Sequence, residues 1–154
     1  MERQNDAGRR LREHLFREAV EQGPLSVIIT DREGVIEYVN AKVTEVTGYR
    51  AEELLGNTPR IFRDGSVPEA VYRELWGTVL AGKSWHGVLK NRKKNGERYW
   101  EATAISPIAG PDGEITHLVA IKNDITPQME AERKLAESER NYREEHDRLQ
   151  TVSM

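Results

Sequence analysis

The spacing of apolar positions changes along the chain, and each change predicts an element. Leu11, Leu15 and Ala19, flanked by Phe16 and Val20, recur at helical spacing and leave charge on the opposite face. They predict an amphipathic helix over 10–22, ended by Gly23-Pro24, behind a polar and poorly ordered stretch over 1–9. One short helix cannot bury its own stripe, so this one needs a sheet or a partner. LSVIITD over 25–31 and the run over 35–39 read as two strands of a hairpin around Asp31-Arg32-Glu33-Gly34. Asn40 is suited to cap a helix over 41–47, which Gly48 breaks. AEELLG adds a helical turn ending at Gly56, and Pro59 keeps 57–65 a loop or distorted turn. Pro68 fits the first turn of a longer helix to about Leu80, with Val71, Leu75, Val79, Trp76 and Leu80 as its apolar positions.

The next third is strand-like. Residues 84–92 lead to a Lys93-Lys94-Asn95-Gly96 turn, 97–108 return, and 114–123 follow the turn Gly110-Pro111-Asp112-Gly113. Pro107 predicts an edge or a bend in the middle arm. Together these elements predict an α+β domain: a five-stranded antiparallel sheet with short helices grouped on one face. The expected organisation is a flexible start and amphipathic helix over 1–22, the domain over 23–126, and a C-terminal helix over 127–154. Thr126 can cap that helix and Pro127 fits its first position. Residues 128–150 hold five Arg or Lys and seven Asp or Glu, with Leu135, Tyr142 and Leu149 spaced by seven. Two readings stand: a solvated single helix, or the start of a parallel two-stranded coiled coil with a weak seam.

Composition narrows the chemistry. The 154 residues include no cysteine, which excludes disulfides, thiolate metal sites and any cysteinyl adduct. A formal charge of -3 gives no electrostatic reason for a nucleic-acid or acidic-membrane partner. No apolar run approaches the roughly 20 residues that span a bilayer, and the first residues lack a secretory signal, so a cytoplasmic location is expected. Neither a Walker loop nor a GxGxxG fingerprint is present, and no histidines fall at metal-ligand spacing. No catalytic group stands out, so turnover within the chain is not expected.

PLSVIITDREGVIEYVN, VTGYRAEELLG, TPRIFRDG and RKKNGERYWEATAISPIAGPDGEITHLVAIKNDIT, in that order over 20–126, resemble the PAS family of sensory domains. The ending Asp124-Ile125-Thr126 is similar to the motif that leads into that family's signalling helix. The resemblance implies a sheet wrapped around short helices, with a pocket that holds a flavin, haem, another small ligand or nothing. It also implies an output outside these residues: a histidine kinase of a two-component system, a cyclase or another effector. The subgroups most resembled are the flavin-binding light-oxygen-voltage domains and their non-photochemical relatives, the nitrogen-fixation regulator and methane-oxidation sensor type. Pro59 stands where the photochemical group has its reactive cysteine, so cysteinyl–flavin photochemistry is chemically impossible here.

The resemblance assigns candidate cofactor contacts. Arg60 matches an arginine suited to a cofactor phosphate, or is a surface arginine. Alternation along the strands puts Trp85, Gly87, Leu89 and Asn91 on one face, with Tyr99, Glu101 and Thr103 on the next strand and Leu118, Ala120 and Lys122 on the last. Asn91 matches a flavin-ring asparagine, its amide offering both donor and acceptor. Trp85 borders the ring or fills the core. Glu101 and Lys122 replace two expected neutral amides, as a structural ion pair or as ligand contacts. His86 has the opposite strand parity, which argues against a haem ligand. The expected cofactor is FAD, with FMN second and an empty pocket also open. The expected function is a sensory module relaying ligand or flavin redox state through Lys122, Asp124 and Thr126 to the C-terminal helix of a homodimer. The alternative is a ligand-free dimerisation or interaction module, or one binding another small molecule.

Overall fold

The computed structural model describes residues 2–152 and divides into two compact units, 1–124 and 125–154. The first unit contains α1 (Glu2–Glu21), β1 (Ser26–Asp31), β2 (Ile36–Val39), α2 (Ala41–Thr47) and α3 (Ala51–Leu54). A short 3-10 helix (Pro59–Phe62), α4 (Glu69–Leu80), β3 (Trp85–Arg92), β4 (Arg98–Ala109) and β5 (Ile115–Asp124) complete it. The second unit is the single helix α5 (Thr126–Val152). The strands form one antiparallel sheet in the order β2-β1-β5-β4-β3. The last strand therefore lies at the centre, between the first strand and the long arm β4.

The helical segment between β2 and β3 follows the sequence signals closely. Asn40 accepts from the Val43 amide at the start of α2, and Gly48 ends that helix with a φ of 78°. Pro59 opens the 3-10 turn, whose interior offers no second helical position that would need the missing N–H. One feature differs from expectation, and a second is met only locally. The first helix starts at Glu2 rather than near residue 10, because 2–9 contain no proline and Gly8 alone weakens but does not stop a helix. Pro107 lies in a strand with neighbours on both sides. Its own stretch of β4, however, runs past the β3 pairing, which ends at Trp85 opposite Ile105. Pro107 pairs only with Leu118 of β5, so β4 is a local edge where it carries the proline.

Buried apolar side chains form two separate clusters. Ile28, Ile36, Val39, Val43, Leu54 and Phe62 pack at one end, and Leu75, Val79, Trp85, Leu89 and Leu118 at the other. Each is a small core where helices meet the sheet. The end of α1 is tied down, since the Val20 carbonyl accepts from Asn40 at 2.7 Å and Glu21 accepts from the Tyr38 hydroxyl. Its apolar stripe is not covered by the sheet: Leu11, Leu15 and Phe16 are all more than half exposed. Among the described residues, no helix is long and apolar enough to cross a membrane.

Candidate functional site

A cavity of about 470 Å³ lies on the inner face of the sheet, bordered by members of both core clusters. That volume falls in the range of small-molecule sites, roughly 300–1,000 Å³. Its floor is β1, β3, β4 and β5, which contribute Ile28, Leu89, Ile105, Leu118 and Ala120. Ala120 pairs with Ile28 on one side and Ile105 on the other, and its single methyl leaves the space that a larger residue would fill. The roof is α4, which carries Tyr72, Leu75, Trp76 and Leu80. Trp76 comes close because Gly34 faces it: a Cβ there would sit 3.1 Å from the indole. Gly34 also has a φ of 94°, which suits glycine in the β1–β2 turn.

The polar groups fall in two zones. Deep in the cavity are Asn91 and Lys122, both buried, together with Thr30 and Thr103. At the rim are Arg32, Glu33, Arg60 and Arg63. Arg63 is held against the Tyr72 ring, 3.5 Å from its centre, and lies 3.3 Å from Glu69. Behind the lining is Glu101, 2% exposed, whose Oε1 accepts from Asn91 Nδ2 at 2.8 Å and lies 3.6 Å from Lys122 Nζ. Burying an ion pair costs desolvation energy, and here the amide hydrogen bond offsets part of that cost. The Tyr99 hydroxyl is buried close to Glu101 and makes no well-formed hydrogen bond among the described residues. Burial, followed by the negative charge of Glu101, raises its pKa, so it stays a neutral phenol.

Arg60, Leu89, Asn91 and Lys122 therefore border the cavity, whereas three other predicted site residues do not. Tyr99 and Glu101 lie behind it. Trp85 belongs to the core with Leu75 and Val79, folded over Gly87 so closely that a Cβ there would come within 2.4 Å of its ring. Of the relay residues, Lys122 lines the cavity, Asp124 pairs with Glu101 in the β4–β5 register, and Thr126 begins α5. Sequence reasoning missed Tyr72, Trp76 and Arg63 as cavity residues. A signal was present: α4 carries one apolar stripe through Leu75 and Val79 and a second through Tyr72, Trp76 and Leu80. One sheet contact buries only the first.

This arrangement, an antiparallel sheet with a hollow inner face under short helices, is that of a sensory-domain fold. The chain belongs to the PAS family, whose fold model matches residues 14–125. It is 33% identical over 121 residues to a nitrogen fixation regulatory protein of Klebsiella oxytoca, a match covering 79% of this chain and 24% of that protein. It is 31% identical over 129 residues to blue-light-activated histidine kinase 1 of Erythrobacter litoralis, covering 82% of this chain and 36% of that one. The chain thus spans about a quarter to a third of the length of these relatives. Among solved structures, an RNA-binding light-oxygen-voltage receptor superposes with a TM-score of 0.73 at 20% identity, covering 81% of this chain and 36% of that one. The domain has the general sensory and signalling role of its family.

Proposed function

We propose that the cavity holds FAD and that the domain reports the cofactor's redox state through β5 and α5. The observation that carries this reading is an apolar cavity of about 470 Å³ with a buried amide and a buried ammonium on its wall and arginines at its rim. The residues fit a flavin. Leu75, Leu89, Ile105 and Leu118 offer apolar walls to a flat ring system, Asn91 and Lys122 meet its polar edge, and Arg60 is the rim group for phosphate. A bound flavin would supply reversible two-electron chemistry. The protein's part is to hold the ring, keep water from it and sense charge at its edge. Lys122 and Asp124 stand on the strand that runs into α5, so a change at the ring reaches the helix within a few residues. Similarity to a nitrogen fixation regulatory protein supports a regulatory reading, and the absence of cysteine removes the thiol route to photochemistry.

The output lies on a continuing chain or a partner protein, a histidine kinase being the first expectation. Two copies act together in the cytoplasm, through the exposed stripe of α1 and the seven-residue spacing of Leu135, Tyr142 and Leu149 on α5. FMN is the second choice of cofactor.

Incubation of the purified chain with FAD, then with FMN, tests the cofactor. The expected result is a retained yellow absorption that dithionite bleaches and air restores. Ala120→Phe places a ring in the cavity and should weaken uptake by at least about tenfold while leaving the fold intact. A folded chain that takes up neither flavin overturns the reading and favours a ligand-free interaction module or a different small ligand.

A further inference from the structure

Lys122 is unusual because its buried ammonium has an ion-pair partner only at the long distance of 3.6 Å and no hydrogen bond among the described residues. The side chain is 7% exposed and borders the cavity. Its Nζ lies 3.6 Å from Glu101 Oε1 and 5.1 Å from the centre of the Phe62 ring, and it makes no hydrogen bond among the described residues. An ammonium has three donors and no acceptor of its own, so a buried one calls for an acceptor beside it.

Glu101 sets the chemistry of the neighbouring amide as well. The oxygen that faces Lys122 is the one that accepts from Asn91 Nδ2. A carboxylate can only accept, so it fixes the Asn91 amide with its NH₂ on Glu101, leaving Oδ1 to accept elsewhere. One buried carboxylate oxygen thus holds a cationic donor and a neutral acceptor side by side at the cavity wall. The complementary ligand is a planar heterocycle whose edge carries a carbonyl or ring-nitrogen acceptor next to an N–H. Where the two positions are neutral amides, no charged group borders that edge. Here the ammonium borders the cavity while its carboxylate partner lies behind the lining.

We propose that Lys122 tunes the cofactor: its ammonium donates to the ring edge and favours the reduced ring over the oxidised one, with Glu101 as its positioning residue. This deepens the flavin reading and rests on it. Reduction adds two electrons and one proton from solvent, leaving one negative charge on the ring, which an adjacent ammonium offsets. The midpoint potential should therefore lie higher with Lys122 than without it.

The test uses the full chain loaded with FAD, titrated with dithionite and followed by its visible spectrum. Lys122→Gln should lose at least about tenfold in affinity for reduced over oxidised flavin, a fall of about 30 mV for a two-electron couple. Its visible absorption maximum should also move. Lys122→Arg keeps the charge and should retain most of the parent potential. Lys90→Gln removes a lysine that lies over Trp100 and should change nothing. Where Lys122→Gln holds flavin weakly, the two affinities are measured separately, and the reduced form must be the one that loses more. A yellow Lys122→Gln with the parent potential, or an equal fall in Lys90→Gln, overturns the tuning role and leaves the flavin reading standing. A folded chain that takes up no flavin overturns both.

Discussion

Glu53 accepts from Lys94 at 2.8 Å in the β3–β4 turn and from Arg50, the residue that precedes its own helix, at 2.9 Å. These two hydrogen bonds hold its pKa down from the ordinary 4.5 to about 2. A carboxylate with a depressed folded value stabilises the fold above its unfolded value and loses that contribution as the pH falls. The stability difference between the parent and Glu53→Gln should thus be present at neutral pH. It should shrink as the pH passes below about 4.5 and vanish near 2, as thermal unfolding at a series of pH values would show. A difference that persisted unchanged at the lowest pH would count against the pairing. The partner Lys94 lies 41 residues away, so no local pattern pointed to it. Lys122 and Glu101 were easier, because strand parity alone put them on the inner face. What parity could not show is that Glu101 lies behind the cavity and reaches it only through Asn91 and Lys122.

Asn40 shows how one side chain joins elements. It is 1% exposed and uses both ends of its amide. Oδ1 accepts from Val27 of β1 and from Val43 of α2, while Nδ2 donates to the carbonyls of Val20 in α1 and Leu25. The sequence marked it as a helix cap, which is one of these four roles. Asn40→Ala should cost about 3 kcal/mol, since it removes the cap and leaves buried backbone groups unpaired. Urea unfolding would measure this, and a loss no larger than that of a simple cap, about 1 kcal/mol, would show that water replaces the other partners. Element boundaries were legible wherever a glycine, a proline or a capping side chain stopped a periodic run. The start of α1 was not, because it carries no stop signal, and Pro107 marked a local edge without revealing that its strand lies inside the sheet.

At the scale of the molecule, the exposed stripe of α1 and the largely solvent-facing Val88 and Ile121 on the outer sheet face ask for a partner surface. We propose that a second copy supplies one. Light scattering on the full chain should give twice the 17.6 kDa of one chain, and Leu15→Glu with Phe16→Glu should reduce it to one. A single-chain mass at every concentration, with flavin bound, would remove the dimer for this length of chain. The sequence by itself determined the order and kind of the elements, the family, the inner and outer faces of each strand, and the impossibility of thiol chemistry. These depend on local periodicity, turn residues and composition, all of which are written along the chain. Tertiary structure alone decided that β5 takes the centre of the sheet, that Trp85 fills core rather than cavity, and that a second stripe of α4 roofs the hollow. Those facts depend on which surfaces meet and how much space small residues such as Ala120 leave between them, and a linear pattern does not record distances across a fold.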